Sequence, residues 1–255
     1  MAFTPANYGT CILHMRASAA GVSDGAGVSS ATVLTGTNLT GQTGGNPTYD
    51  ATSLLNNRPG IVYSRTGTDD GMYSASDYLT GSTTAAFAAV CRFAELDATA
   101  QYLFAQTIPA LRLWRLSLSV LNGGILSCVI GTDTALNTFN SAGSTIVVDT
   151  NYIIVGTLTL SGGGTTGTLQ VRVNNSLVID TAVVLGTSLL NTSGIWMGVG
   201  YDPSTSSLGM GGCLNELAIM STAWTTAQAV DVYSHLYNDY LTPAVQCPPQ
   251  TVVMS

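Results

Sequence analysis

Apolar and polar positions alternate with a period of two through most of the chain beyond residue 85, a spacing that predicts strands rather than helices. Phe87, Ala89, Cys91 and Phe93 alternate with Ala88, Val90 and Arg92, which predicts a strand with one face in a core. Trp114, Leu116, Leu118 and Val120 share one face, and Arg115, Ser117 and Ser119 share the other. Residues 101–105, 125–130, 152–160, 168–173, 177–180, 195–200 and 213–220 read as further strands. Turn chemistry sits between them: Asn122-Gly123-Gly124, Ser161-Gly162-Gly163-Gly164, and Asn174-Asn175, where Asn tolerates the positive φ that a two-residue hairpin requires. At least eight strands with short turns and almost no helix predict an all-β, two-sheet antiparallel jelly-roll sandwich.

One segment departs from this period. Thr225 followed three residues later by Gln228 forms a capping-box signature, and Val230, Tyr233, Tyr237 and Leu241 recur near helical spacing before Pro243 ends the run. This predicts one C-terminal amphipathic helix of about four turns, covering an edge or end of the sandwich. Residues 1 to about 85 are loop-rich, with short apolar pieces at 11–15 and 60–63. They lack the periodic apolar sequence to bury a core alone, so they belong to the same domain. The expected organisation is an N-terminal arm over residues 1–9, one domain over 10–242, and a Pro-rich tail over 243–255.

Composition narrows the function classes. Of 255 residues only 8% are charged, with no Lys, and the net charge is −7. Nucleic-acid binding needs clustered cations, so it is excluded as an expectation, as is docking on an anionic membrane. No run of about 18 apolar residues predicts a membrane-spanning helix. The N-terminal residues show neither the basic nor the apolar region of a secretory signal. Cys11, Cys91, Cys128 and Cys213 stand in apolar strand-like contexts and read as small buried hydrophobes, while Cys247 lies in the tail as a free thiol or an intermolecular disulfide partner. Without a C-x-x-C pair, and with two His in the chain, no zinc site is expected.

The C-terminal residues carry a family resemblance. Leu169-Gln170-Val171-Arg172-Val173-Asn174-Asn175, Ile195-Trp196-Met197-Gly198-Val199-Gly200 and Gly212-Cys213-Leu214-Asn215-Glu216-Leu217-Ala218-Ile219 resemble the hairpin, the glycine-rich strand and the last strand of a LamG-like domain of the concanavalin A-like lectin/glucanase superfamily. Residues 55–62 and 77–79 are similar to the opening strands of such domains in phage and bacterial surface proteins. His14-Met15-Arg16-Ala17-Ser18 stands where those proteins often carry a Trp and an Asp, both missing here.

That resemblance implies either glycan binding or glycoside hydrolysis. Hydrolysis needs two carboxyl groups about 5–9.5 Å apart. Enzymes of this superfamily place them on one strand as a Glu-x-Asp-x-x-Glu-like run, which this sequence lacks. Glu95 has Asp97 nearby but sits at a strand end, and Glu216, sharing a face with Leu214, Ala218 and Met220, reads as a buried structural pair with an Arg. Asp69-Asp70-Gly71 and Asp202-Pro203-Ser204 offer calcium-type oxygens but read first as turns. Tyr49, Tyr73, Tyr78, Tyr201 and Trp224 are candidate sugar platforms that read first as packing residues. His14 and His235 suggest no metal or catalytic role, and Asn38-Leu39-Thr40 and Asn191-Thr192-Ser193 match glycosylation acceptors that mean little without export.

The expectation is therefore a chain with no catalytic, metal or cofactor site. The leading reading is a bacteriophage virion protein, a capsid decoration or fibre-associated module made in the host cytoplasm. Its partners would be neighbouring virion proteins, further copies of itself, or a host-surface glycan. The alternative is a cellular carbohydrate-binding module or adhesin, and a glycoside hydrolase stands behind both.

Overall fold

The computed structural model describes residues 3–41, 45–52, 58–65, 70–76, 79, 82–96, 99–108, 113–132, 134–187, 196–203 and 209–242. In chain order the strands are β1 (Cys11–Arg16), β2 (Ser30–Ala31), β3 (Leu39–Gly41), β4 (Thr48–Asp50), β5 (Gly60–Tyr63), β6 (Met72–Ser74), β7 (Thr84–Phe93) and β8 (Gln101–Ile108). They continue as β9 (Leu113–Leu121), β10 (Ile125–Gly131), β11 (Leu136–Asn140), β12 (Asn151–Ser161), β13 (Thr166–Val173), β14 (Ser176–Val184), β15 (Trp196–Val199) and β16 (Gly212–Met220). Helix α1 (Thr226–Leu236) follows, and a π-type turn at Tyr237–Leu241 extends it.

Two sheets form the sandwich. One runs β14-β13-β12-β7-β16-β5-β4, with β1 pairing the second half of β16 beside β5. The other runs β11-β10-β9-β8-β15-β6-β3-β2. The loop-rich first third thus supplies strands to both sheets. The tail, Cys247, and residues 55–57, 77–78 and 191–195 lie outside the described residues.

The main core lies between the sheets. Phe87, Cys91, Phe93, Leu158 and Leu217 of the first sheet meet Phe104, Leu116, Leu118, Leu126 and Met197 of the second. Each large apolar side chain buried this way contributes about 1.5–3 kcal/mol. Phe87 stacks edge-to-face on Phe104 at 5.2 Å between ring centroids. Opposite Phe87 in the ladder stands Gly156, where an added Cβ would overlap the Phe87 ring. Phe87 therefore lies across the pleat of β12, which accounts for a glycine inside a strand.

β7 is buried on both faces, not on one as the alternation predicts. A second core covers the outer face of its sheet: Ala86, Ala88, Val90, Ile153, Val155, Ala218 and Met220 pack against Trp224, Ala229, Val232, Leu236 and Tyr240, with Phe3 from the N-terminal arm. The helix starts as predicted, with a reciprocal Thr225/Gln228 capping box. Its buried stripe is Ala229, Val232, Leu236 and Tyr240, one residue off the expected Val230, Tyr233, Tyr237 and Leu241. Tyr237 is 43% exposed. The turn at Asn174 and Asn175 has φ of 46° and 68°, as a two-residue hairpin of this hand requires. The Asn174 carboxamide oxygen also accepts from the Ile153 N–H at 2.9 Å, tying the turn to β12.

Cys91, Cys128 and Cys213 are buried thiols, as expected, and Cys11 is half-buried. Arg115, Ser117 and Ser119, expected on a polar face, are all buried.

Candidate functional site

Glu216 is the point at which a catalytic reading would have to begin. A β-bulge between Leu214 and Glu216 shifts the register of β16 against β7. The shift reverses which face each side chain takes. Leu214, Leu217 and Ile219 enter the inter-sheet core, while Ala218 and Met220 face the helix. The expected face shared by Leu214 and Glu216 does not form; the bulge separates them.

Glu216 is 1% exposed, and three elements meet at its carboxylate. His14 Nε2 lies 2.6 Å from Oε1, and Arg16 donates from Nη2 to Oε1 at 2.9 Å and from Nε to Oε2 at 3.1 Å. The Tyr240 hydroxyl donates to Oε2 at 2.5 Å. His14 and Arg16 alternate on β1, whose ladder sets Arg16 opposite Glu216. Burial alone would raise the Glu216 carboxyl. The hydrogen bonds from His14 and Arg16, then the Arg16 charge, outweigh it and hold the group below the ordinary carboxylate range. Burial, reinforced by the Glu216 charge, pushes the Tyr240 phenol far up, so it stays a donor. Arg16 also donates to the Phe3 carbonyl at 2.9 Å, and the Phe3 N–H donates to Asp239 at 2.8 Å. The cluster therefore fastens the N-terminal arm and the C-terminal turn to the sheet. The expected Arg pair is present, with a His and a Tyr that the sequence reading did not attach to it.

Glu95 is exposed just beyond the end of β7, and its side chain lies against Gly211. Glu216 sits opposite Val90, five residues back along the strand. At about 3.3 Å per residue, that sets the two backbone positions roughly 16 Å apart along the strand, and the two side chains meet different neighbours, Gly211 for Glu95 and the His14, Arg16 and Tyr240 cluster for Glu216. Asp97 lies outside the described residues.

The remaining candidates do not converge. Asp70 closes its own loop, accepting from the Ser64 N–H at 2.9 Å, and Asp202 is buried where its charge adds to burial in raising the Tyr102 and Tyr201 phenols. Asp69, Ser204 and Tyr78 lie outside the described residues. Among the described residues no three His, Cys, Asp or Glu come together as a metal site would require. Tyr201 and Trp224 are buried, and Tyr49 and Tyr73 half-buried, as packing residues are. His235 stands 3.9 Å from Asp231 at the helix surface.

Concavities lined by described residues lie at the surface. A cleft of about 190 Å³ is lined by Arg16, Ser18, Arg58, Pro59, Asp239 and Tyr240, and one of about 260 Å³ by the N-terminal arm, His14 and Thr35. Both fall below the roughly 300–1,000 Å³ usual for ligand sites. A third, of about 360 Å³, runs between β11 and β14, the edge strands of the two sheets. Phe139, Val178 and Ile179 floor it, and Thr138, Asn140, Asp180 and Thr181 rim it. None of these was a candidate from sequence; LNTFN is too polar to read as a strand, so the pairing of β11 with β10 went unseen.

No family model matches this chain, and neither does any curated protein. Solved structures do. Domain 4 of a GH43 extracellular arabinanase from Geobacillus stearothermophilus, in complex with arabinotriose, superposes with a TM-score of 0.56 at 14% identity, over 88% of this chain and 99% of that one. The CBM40 domain of the Ruminococcus gnavus IT-sialidase, bound to α2,3-sialyllactose, gives 0.54 at 11% identity, over 68% and 95%. Botulinum neurotoxin type C, whose cell entry depends on two ganglioside molecules, gives 0.62 at 9% identity, over 91% of this chain but 53% of the toxin chain. At this level of identity the likeness establishes the fold alone: a two-sheet antiparallel jelly-roll sandwich.

Proposed function

We propose that this chain is a non-catalytic carbohydrate-binding module. One observation carries the reading: it shares its sandwich with modules solved holding arabinotriose and α2,3-sialyllactose, while Glu216 is buried and fully engaged. A general acid or nucleophile must reach its substrate and exchange a proton with it. Glu216 faces the N-terminal arm and the helix and already accepts from His14, Arg16 and Tyr240. The finer LamG-like resemblance agrees with a binding role. A glycan array probed with the labelled chain is expected to give saturable binding to at least one oligosaccharide class. A blank array would remove the proposal.

A second reading is a virion decoration or fibre module, and composition favours it. A chain with 8% charged residues and no Lys presents few of the charges that keep protein surfaces apart. Val184, 71% exposed, and Leu177, 40% exposed, stand on the β14 edge, where they would suit packing into an assembly. Under this reading the chain co-sediments with purified particles as a homo-oligomer; a monomer absent from every particle fraction rules it out.

A further inference from the structure

We infer that the groove between β11 and β14 is the glycan site, and that it takes a neutral oligosaccharide. This rests on the carbohydrate-binding reading above and adds the place and the ligand class. The two strands belong to different sheets, and each pairs with one neighbour, β11 with β10 and β14 with β13. Among the described residues no further strand pairs with either outer edge, so both walls of the groove present backbone N–H and C=O groups.

The floor is apolar. Phe139 and Val178 are half-buried and lean on the inter-sheet core, and Ile179 is buried beside them. A sugar ring has one face of C–H bonds, and a half-exposed aromatic offers it a flat apolar support. The rim is polar, and Thr181 on it donates to the Ala182 carbonyl at 3.3 Å. The Asn140 carboxamide and the Thr138 hydroxyl make no hydrogen bond within the described residues, although both residues are exposed at the groove. Asp180 accepts from the Gln170 amide at 3.0 Å through Oδ1 only, so Gln170 holds the carboxylate in place and leaves Oδ2 for a ligand. Sugar hydroxyls both donate and accept, and this rim offers them a carboxylate acceptor and an amide that does both.

Charge decides the class. Among the described residues the lining carries one carboxylate and no cation, in a chain of net charge −7. Arg172, on the neighbouring strand, is turned to the Asn175 carbonyl at 3.2 Å. Uronate, sulfate or sialic acid groups would meet Asp180 with no cation in the lining, so a chain of neutral pentose or hexose units fits better. Volume agrees: about 360 Å³ admits a short stretch of chain rather than a branched antenna.

Isothermal titration with the neutral oligosaccharide that binds best tests this on four proteins. Phe139→Ala is expected to weaken binding by about tenfold or more, as removal of a central aromatic anchor does. Asn140→Ala, an exposed change that leaves the core intact, should weaken it about fivefold through one lost hydrogen-bonding group. Arg58→Ala, in the other cleft, should match wild type. Wild-type affinity in both Phe139→Ala and Asn140→Ala would overturn the site while leaving the carbohydrate-binding reading standing. A wild type that binds only sialylated or sulfated glycans would overturn the ligand class. Binding to no glycan of either kind would take down the reading on which both rest.

Discussion

Glu216→Ala is expected to destabilise the chain by about 3–5 kcal/mol, the usual result of removing one partner from a buried charge cluster. The loss goes well beyond the attraction between carboxylate and guanidinium. Arg16, half-buried, and His14, 5% exposed, would keep their polar atoms out of water with their main acceptor gone. The N-terminal arm would loosen with them, since Arg16 also holds the Phe3 carbonyl. Tyr240→Phe, which removes one donor and leaves both oxygens with other partners, should cost about 1–2 kcal/mol. Urea denaturation of the purified variants reads both numbers.

The same cluster sets the acid limb of stability. Glu216 has a folded-state pKa below its ordinary value of 4.5, so the native state holds the proton less tightly than the unfolded chain does. Its stabilisation is complete above 4.5 and disappears as pH falls through the lower folded value. Wild type should therefore lose stability on acidification through that window more steeply than Glu216→Ala. Parallel curves for the two proteins would mean that the carboxylate is not ionised and paired as described.

Phe87→Ala is the second large effect, expected at about 3–5 kcal/mol for a fully buried ring that leaves a cavity between two sheets. The position is rigid on both sides. Phe104 packs edge-on at 5.2 Å, and Gly156 supplies the only residue type that leaves room for the ring on β12. Gly156→Ala in the wild-type background should cost about 1–3 kcal/mol by overpacking. In the Phe87→Ala background the new methyl meets a void, so its cost should nearly vanish. A double-mutant cycle followed by urea denaturation measures the coupling, and additive effects would show that the ring and the glycine do not share that space.

How far the sequence could be read follows from which signals are local. The strands at 152–160 and 213–220, the Asn174-Asn175 turn and the Thr225/Gln228 cap are all written in neighbouring residues, and the fold follows from them. The buried helix stripe lies one position from the expected one because Tyr233 and Tyr237 dominate the hydrophobic pattern, whereas Ala229, Val232, Leu236 and Tyr240 are the residues that meet the sheet. The face of Glu216 was misassigned because a single bulged residue reverses strand parity, and no residue type announces a bulge. Its partners His14 and Arg16 lie some two hundred residues away and come to it only through the β1–β16 ladder. The groove was out of reach for a similar reason. Phe139 and Asp180 belong to edge strands of different sheets, and only closure of the sandwich makes them neighbours.

The central claim is that this sandwich holds a glycan without cutting it. Its most direct test is to incubate the best-bound oligosaccharide with wild-type protein at saturating concentration and follow the sugar by mass spectrometry. The intact chain length is expected to persist while binding remains saturable. Shortened products formed by wild type and absent with Glu216→Gln would contradict it.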